Sequence, residues 1–337
     1  YPRAEITMIV NSRSKEIIED NHNIDKVISY DAPWIGHKQF SLLNLRKNIN
    51  KKLINKLKKE KYDIAIDFSG DSRDYLFLLS RIKAKCTVGY GFAGFGFLLD
   101  REVKYDDDLH AVDLNLGLVY AFGAKKESRE LDLKIDKKQI KHAEKLLGKN
   151  KPKKKEILVG MHPGGAWFYR LWPKERFAKL ADYLMEKHNA RIVLVGSKDE
   201  KKLCDEIIKT MKSTREASKR KKIKNKKTDK KIINAAGKTD VKQLSALINK
   251  CNLFICNDSA PMHIALAVKT PIIALFGPGH VKKFGPYGKN DIIIKHKIHC
   301  SPCGQVNCIY PKNNCMARIG FEGVRDRASE LIKRIKK

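Results

Sequence analysis

A chain of 337 residues is long enough for two domains of ordinary size, each with its own buried core. Its 42% hydrophobic content excludes a disordered polymer, and its longest apolar runs, Pro271–Phe276 and the stretch around Asp291–Ile294, are far too short to cross a membrane. Seventy Lys plus Arg against 38 Asp plus Glu give a formal charge of +32, a field that favours polyanions such as phosphorylated substrates or an anionic membrane surface.

The first half reads as short strands at Glu5–Val10, Lys26–Tyr30, Tyr62–Phe68 and Thr87–Tyr90. Between them, Ser41–Lys59 carries Leu42, Leu45, Ile49, Leu53 and Leu57 near a helical period. The lysine-rich stretch Lys149–Lys155, with Pro152 inside it, reads as an interdomain linker. Beyond it come strand Glu156–Met161, a glycine turn, and a helix with Pro173 as its first residue and Phe177, Leu180, Ala181 and Leu184 on one face. Strand Arg191–Gly196, helix Glu200–Met211 and strand Lys231–Ala235 follow, with the basic run Lys219–Lys231 expected as a solvated loop. Helix Val241–Lys250, strand Leu253–Cys256, a helix from about Ala260 and strand Pro271–Phe276 complete the series. Such alternation predicts an α/β fold of two Rossmann-like domains with parallel sheets facing a central cleft, and ligands outside the carboxyl ends of the strands.

Three motifs fall at those strand ends. In Met161–Trp172, Gly164 and Gly165 let a phosphate approach the backbone, and Arg170 supplies a cation before a helix start. In Gly196–Glu200, an acidic side chain could reach a ribose hydroxyl. Asn257, Asp258 and Ser259 follow a strand directly, with His263 one turn into the next helix. Together they put N–H donors, a hydroxyl, an imidazole and a carboxylate at one point, a set suited to a diphosphate and a sugar. The plain alternatives stay open for each: a chain turn, a helix cap, a satisfied histidine.

The blocks HPGGAW, LWP and CNDSAPMHIALAVKTPIIALFGP resemble the heptosyltransferases of glycosyltransferase family nine, as do YPRAEITMIV at the start, DAPW at Asp31–Trp34, Ala65–Asp67 with Ser69, Gly70 and Arg73, and the segment Cys300–Met316. The resemblance implies a GT-B fold and inverting, metal-independent transfer of heptose from ADP-heptose to the inner core of lipopolysaccharide, with no cofactor required for catalysis. It implies residues 1–150 as an acceptor-binding domain, 151–320 as the nucleotide-sugar domain, and 321–337 as a helix returning to the first domain. Gly165, Ala166 and Arg170 would contact the diphosphate, Glu200 would face the adenosine, and Thr239 would lie near base or ribose. Asp258, Ser259, Ala260 and His263 would hold the diphosphate and sugar, with Arg170 and His263 stabilising the leaving group. The implied partners are an anionic lipopolysaccharide core and the inner membrane surface, contacted peripherally from the cytoplasm.

This sequence departs from the family pattern in places. Arg170 stands where the pattern has Lys, Ala260 where it has Gly, and Gly165 and Ala166 where it has hydroxyl or other small residues. The pattern opens with a strand and a Gly–Asp turn, carrying the proposed general base, ahead of the part that matches Tyr1–Val10. The expectation is therefore a fragment whose base is unassigned, with neither Asp67 nor Asp71 marked as a replacement.

Cys300, Cys303, Cys308 and Cys315, next to His299 and separated by two, four and six residues, suit a structural zinc or an iron–sulfur cluster, or else are reduced thiols. Cys86, Cys204, Cys251 and Cys256 are scattered and read as core or surface thiols. Two further readings compete with the transferase. One is the same chemistry on a protein or capsular acceptor; the other is a non-catalytic basic protein that binds nucleotide sugar or nucleic acid. The lysines carry no interleaved aromatics for base stacking, so no specific nucleic acid is expected. A dinucleotide-binding fingerprint is not met by Gly89–Gly96, which is aromatic and lacks the helix that should follow.

Overall fold

Odd and even positions along the strands of the second half are both apolar, which demands a sheet covered on both faces. The computed structural model, which describes residues 1, 3–32, 50–70, 73–92, 94–125, 128–211, 231–303 and 307–336, has that sheet. Two compact units divide the chain, Tyr1–Glu130 and Leu131–Lys337. The boundary lies about twenty residues ahead of the expected linker, because helix Lys137–Leu147 buries Ala143 and Leu147 in the second unit's core.

In the first unit, β1 (Thr7–Val10) pairs with β2 (Lys26–Ser29) in one parallel sheet. In a second sheet, β3 (Ile64–Ile66), β4 (Cys86–Tyr90) and β5 (Arg101–Val103) lie in the order 3-4-5, again parallel. The helices are α1 (Ser12–Ile18), α2 (Lys51–Lys59), α3 (Arg73–Ile82) and α4 (Ala111–Tyr120). Leu57, Leu79 and Ile82 pack with Ile9, Ile28 and Ala65, so α2 and α3 are joined by one apolar cluster to strands of both sheets. Only α2 belongs to the helix expected over Ser41–Lys59; its earlier part, Pro33 and Trp34 of Asp31–Trp34, and Asp71 lie outside the described residues. Asp67 is buried just past β3 and accepts from the Ser69 N–H at 2.9 Å. After Gly89–Gly96 comes only a single 3-10 turn, Gly96–Leu98.

The second unit holds one six-stranded parallel sheet. Its strands are β6 (Ile157–His162), β7 (Ala190–Leu194), β8 (Ile232–Asn234), β9 (Leu253–Asn257), β10 (Ile272–Phe276) and β11 (Ile292–Lys295). Its helices are α5 (Lys137–Leu147), α6 (Lys174–Lys187), α7 (Lys201–Thr210), α8 (Val241–Asn249), α9 (Ala260–Ala267), α10 (Val281–Phe284) and α11 (Phe321–Ile335). Val159, Met161, Ile192, Leu194, Ile255 and Ile273 face α6, α7 and α11. Leu158, Val193, Phe254, Cys256, Ala274 and Phe276 face the other way, onto α5, α8 and α9. Each fully buried side chain of this size contributes about 1.5–3 kcal/mol, so the two faces together fix the register of every strand.

The C-terminal helix α11 buries Val324, Ala328, Leu331 and Ile332 in the second unit's core. Pro173 caps α6 from outside instead of opening it, one position earlier than expected. The basic run lies outside the described residues up to Lys230.

Candidate functional site

The strand order in the second unit is 11-10-9-6-7-8: the chain builds outward from β6 through β8, then crosses back to start β9 on the other side. In open α/β sheets this reversal leaves a crevice beyond the carboxyl ends of the two central strands. Here those strands end at His162 and Asn257. Every contact described below lies in the loops at that end.

Asn257 organises the glycine loop. It is fully buried, and its Nδ2 donates to the carbonyls of Pro163 and Gly164 at 2.8 and 3.1 Å. Its Oδ1 accepts from the Trp172 N–H at 3.1 Å, so one side chain clamps both ends of the segment from Pro163 to Trp172. The Trp172 indole is buried, and its Nε1 donates to the Ile319 carbonyl at 2.9 Å. Arg176 Nη1 binds the carbonyls of Ala317 and Ile319 at 2.7 and 2.5 Å and closes the same corner. Three side chains thus saturate carbonyls that a buried loop would otherwise leave bare.

Glu200 lies just before α7 and turns back under the glycine loop. A Cβ at Gly164 would overlap its carboxylate, so only glycine leaves room there. Ser197 N–H donates to Oε2 at 2.7 Å, and Gly165 N–H also hydrogen-bonds the carboxylate. His162 Nε2 stands 3.3 Å from the same oxygen, while its Nδ1 stands 2.9 Å from Ser259 Oγ. Burial pushes the Glu200 carboxyl up, but the hydrogen bond and charge of His162 with the two N–H groups outweigh it, holding it down at about 2. His162, 3% exposed, therefore ties the loop after β7 to the start of α9.

Arg170 Nη1 lies 3.0 Å from Asp258 Oδ2. The Asp258 carboxylate is 5% exposed and its Oδ2 accepts no aligned hydrogen bond among the described residues. Burial raises the Asp258 carboxyl above its ordinary value, and the Arg170 charge pulls it back only in part. A Cβ at Gly279, in the turn after β10, would overlap that carboxylate. Arg170 and Asp258 form a charged pair at the mouth of the crevice, not a saturated internal bridge.

Ser259 is the N-cap residue of α9, yet its side chain makes no capping bond. It contacts His162 and the Asn257 carbonyl, the latter at 3.1 Å, so the plain cap reading does not hold for it. The helix start is poorer in donors than expected, since a proline occupies its first turn and the Met262 N–H is spent on the Ser259 carbonyl at 3.0 Å. The N–H of Ala260, at the first helical position, has no intrahelical acceptor. Ala260 and Ala166 are exposed, and Gly165 and His263 half-buried. Thr239 is half-exposed in the loop after β8, which meets the loop after β7 where Gly237 N–H donates to the Gly196 carbonyl at 2.9 Å. The expected residues from three separate stretches thus share one end of one sheet. Sequence reasoning placed Asn257 in the third motif without its clamping role, and missed His162; a histidine ending a buried strand ahead of a Pro-Gly-Gly turn was the available signal.

The four C-terminal cysteines are all free thiols. They line one cavity of about 20 Å³ together with Tyr169, Pro278 and Tyr310. Among the described residues, however, no group of three or more His, Cys, Asp or Glu is placed to hold a metal ion. The expected structural zinc at Cys300, Cys303, Cys308 and Cys315 is therefore not supported. Burial raises the Cys315 thiol above its ordinary value, with Cys303 and Cys308 adding to the shift.

Known proteins share this sequence and architecture. The sequence model described as Glycosyltransferase family 9 (heptosyltransferase) matches residues 50–313. A lipooligosaccharide heptosyltransferase 2 of Campylobacter jejuni is 30% identical over 178 residues, 52% of this chain and 51% of that protein. The counterpart from Haemophilus ducreyi is 29% identical over 312 residues, 88% of this chain and 81% of that one. The match to the Campylobacter relative thus spans about half of that protein's length. Among solved structures, a family 9 glycosyl transferase from Veillonella parvula superposes with a TM-score of 0.76 at 23% identity, covering 99% of this chain and 89% of that one. The ADP-heptose heptosyltransferase II of E. coli gives 0.72 at 19% identity, covering 100% and 92%. These likenesses bear out the expected GT-B fold with its parallel sheets. With its family model matched over more than three quarters of its length, the chain belongs to glycosyltransferase family 9, the heptosyltransferases.

Proposed function

We propose that this protein transfers a heptose from ADP-heptose to the inner core of lipopolysaccharide, with inversion at the anomeric carbon and without a metal ion. The observation that carries the reading is the convergence of Glu200, Arg170, Asp258 and Ser259 at the crevice beside β6 and β9, in a chain of this family. The adenosine end of the donor lies toward Glu200 and Thr239, and the diphosphate toward Gly165, Ala166, Arg170 and the start of α9.

In the reaction, an acceptor hydroxyl oxygen attacks the anomeric carbon from the face opposite the diphosphate. The bond from that carbon to the β-phosphate oxygen breaks, its electron pair leaves with ADP, and the hydroxyl proton passes to a general base on the acceptor side. Negative charge grows on the β-phosphate, where Arg170, the Ala260 N–H and His263 stabilise it. A guanidinium beside backbone donors carries that charge without a divalent cation. Asp258, released from Arg170 when the diphosphate arrives, accepts hydrogen bonds from sugar hydroxyls.

The first unit holds the acceptor, and the excess of 70 Lys plus Arg over 38 Asp plus Glu suits a phosphorylated saccharide on an anionic membrane surface, reached peripherally from the cytoplasm. Among the described residues no helix is long and apolar enough to cross a membrane.

Calorimetric titration with ADP-heptose, ADP and UDP-sugars tests the donor assignment, with Arg170→Ala and His263→Ala as controls. Adenine nucleotides should bind in preference, and both variants should bind more weakly. Equal binding of UDP-sugars, or full affinity in both variants, would overturn it.

A further inference from the structure

Glu200, ionised at neutral pH, offers only acceptors, so His162 Nε2 must carry the proton that faces it. The other ring nitrogen, Nδ1, lies 2.9 Å from Ser259 Oγ. That hydroxyl owns one proton and has a second partner, the Asn257 carbonyl at 3.1 Å, which can only accept.

Two arrangements follow. If the ring is neutral, Nδ1 is a bare lone pair and takes the Ser259 proton; the hydroxyl then has nothing left to donate. If the ring is charged, Nδ1–H donates to Ser259 Oγ and the hydroxyl proton is released. It can rest on the Asn257 carbonyl or turn to a phosphate oxygen at the helix start. The other neutral tautomer would set a lone pair against the Glu200 carboxylate and is excluded by repulsion.

Resting on the donor-site reading above, we infer that His162 is a positioning residue which, protonated on both ring nitrogens, frees the Ser259 hydroxyl to bind the donor's diphosphate. The ring is 3% exposed, so it touches neither donor nor acceptor and acts only through Ser259 and Glu200. The titratable and charged groups on the elements packed against it are Glu200 before α7, Asp258 after β9, His263 on α9, and Arg170, which pairs with Asp258. Cys256, its register neighbour on β9, stays a neutral thiol because burial holds its titration far above the ordinary value.

The test is calorimetric titration of the full chain with ADP-glucose between about pH 5.5 and 8.5, a window in which a histidine changes charge. Its diphosphate diester has no titrating group there, whereas the terminal phosphate of ADP has one near pH 6. For the native chain, the dissociation constant should rise with pH by on the order of tenfold, the worth of one charged hydrogen bond. Compared in a His263→Gln background, so that no second imidazole at the diphosphate titrates, Ser259→Ala should bind weakly at all pH values with no such rise, and His162→Gln, which keeps a donor but cannot titrate, should also be flat. A flat native profile, or the native slope surviving in Ser259→Ala, overturns the inference; the second result would mean that the imidazolium charge acts on the ligand directly. The Ser259→Ala arm stands alone should His162→Gln not fold. Absence of ADP-glucose binding at every pH, or unchanged affinity in Arg170→Ala, would instead sink the donor site itself.

Discussion

Asn257→Asp is the sharpest test of how the crevice is held open. The substitution keeps shape and volume, so no cavity confuses the result, but it exchanges a donor for an acceptor. Nδ2 now serves the Pro163 and Gly164 carbonyls at 2.8 and 3.1 Å. An aspartate oxygen there would face two carbonyl oxygens in a fully buried position and leave both without a donor. Two net hydrogen bonds at about 1 kcal/mol each, plus desolvation of the stranded groups, give a loss of roughly 3–5 kcal/mol at neutral pH. The new carboxyl escapes part of this by binding a proton, whose O–H restores one donor. Its folded pKa therefore lies above its unfolded one, and stability should be regained as pH falls below the folded value. Urea unfolding followed by tryptophan fluorescence, with Trp172 buried beside the clamp, measures the change at pH near 7 and near 5. A loss below about 1 kcal/mol at the higher pH, or no recovery at the lower, would refute the clamp.

Three further outcomes are expected. Gly164→Ala places a methyl group where the Glu200 carboxylate lies, and should weaken ADP-glucose binding by on the order of tenfold and lower the urea midpoint as the carboxylate leaves its partners. Trp172→Phe removes one of the two donors to the Ile319 carbonyl, Nε1 at 2.9 Å, while Arg176 Nη1 still serves it, and should cost about 1 kcal/mol in urea unfolding. Glu200 is depressed from 4.5 to about 2, so its contribution is present in full above the unfolded value and lost as pH falls from about 4.5 through about 2. That contribution is at most on the order of 3 kcal/mol; Glu200→Gln should lack this acid-side loss, and equal slopes for the two proteins between pH 5 and 3 would contradict the assignment.

Much of the second unit was legible because its physics is local. Strands such as Leu253–Asn257 are apolar on both faces, and that pattern has few solutions other than a buried parallel strand. The three site motifs could be found because each directly follows such a strand. What could not be read was the matching of partners across long separations. Nothing near Asn257 in sequence signals the Pro163 carbonyl, 94 positions away, and nothing near His162 signals Ser259, 97 positions away. Helix α5 was assigned to the wrong side of the boundary for a related reason. Lys149–Lys155 has the composition of a linker, but the buried residues Ala143 and Leu147 ahead of it already belong to the second core. The cysteines misled in the opposite sense, since their spacing suits a metal while their arrangement among the described residues does not.

The cysteine segment has a simpler physical use that also explains its place in the chain. Ser301 Oγ donates to the Gly277 carbonyl at 2.7 Å, and the Cys303 N–H to the Pro278 carbonyl at 3.1 Å. Cys315 Sγ and Met316 fill the space beside Gly277, where an added Cβ would lie 3.0 Å from the sulfur and 2.6 Å from Met316 Cγ. The segment is thus fastened to the turn Gly277–Gly279, and that turn abuts Asp258 through Gly279. The buried Cys315 thiol serves here as a small, soft packing group. Since the position of Asp258 decides how closely Arg170 approaches it, packing at the cysteines and electrostatics in the crevice are two ends of one mechanical connection. A bulky group attached to the half-buried Cys303 would press on that turn.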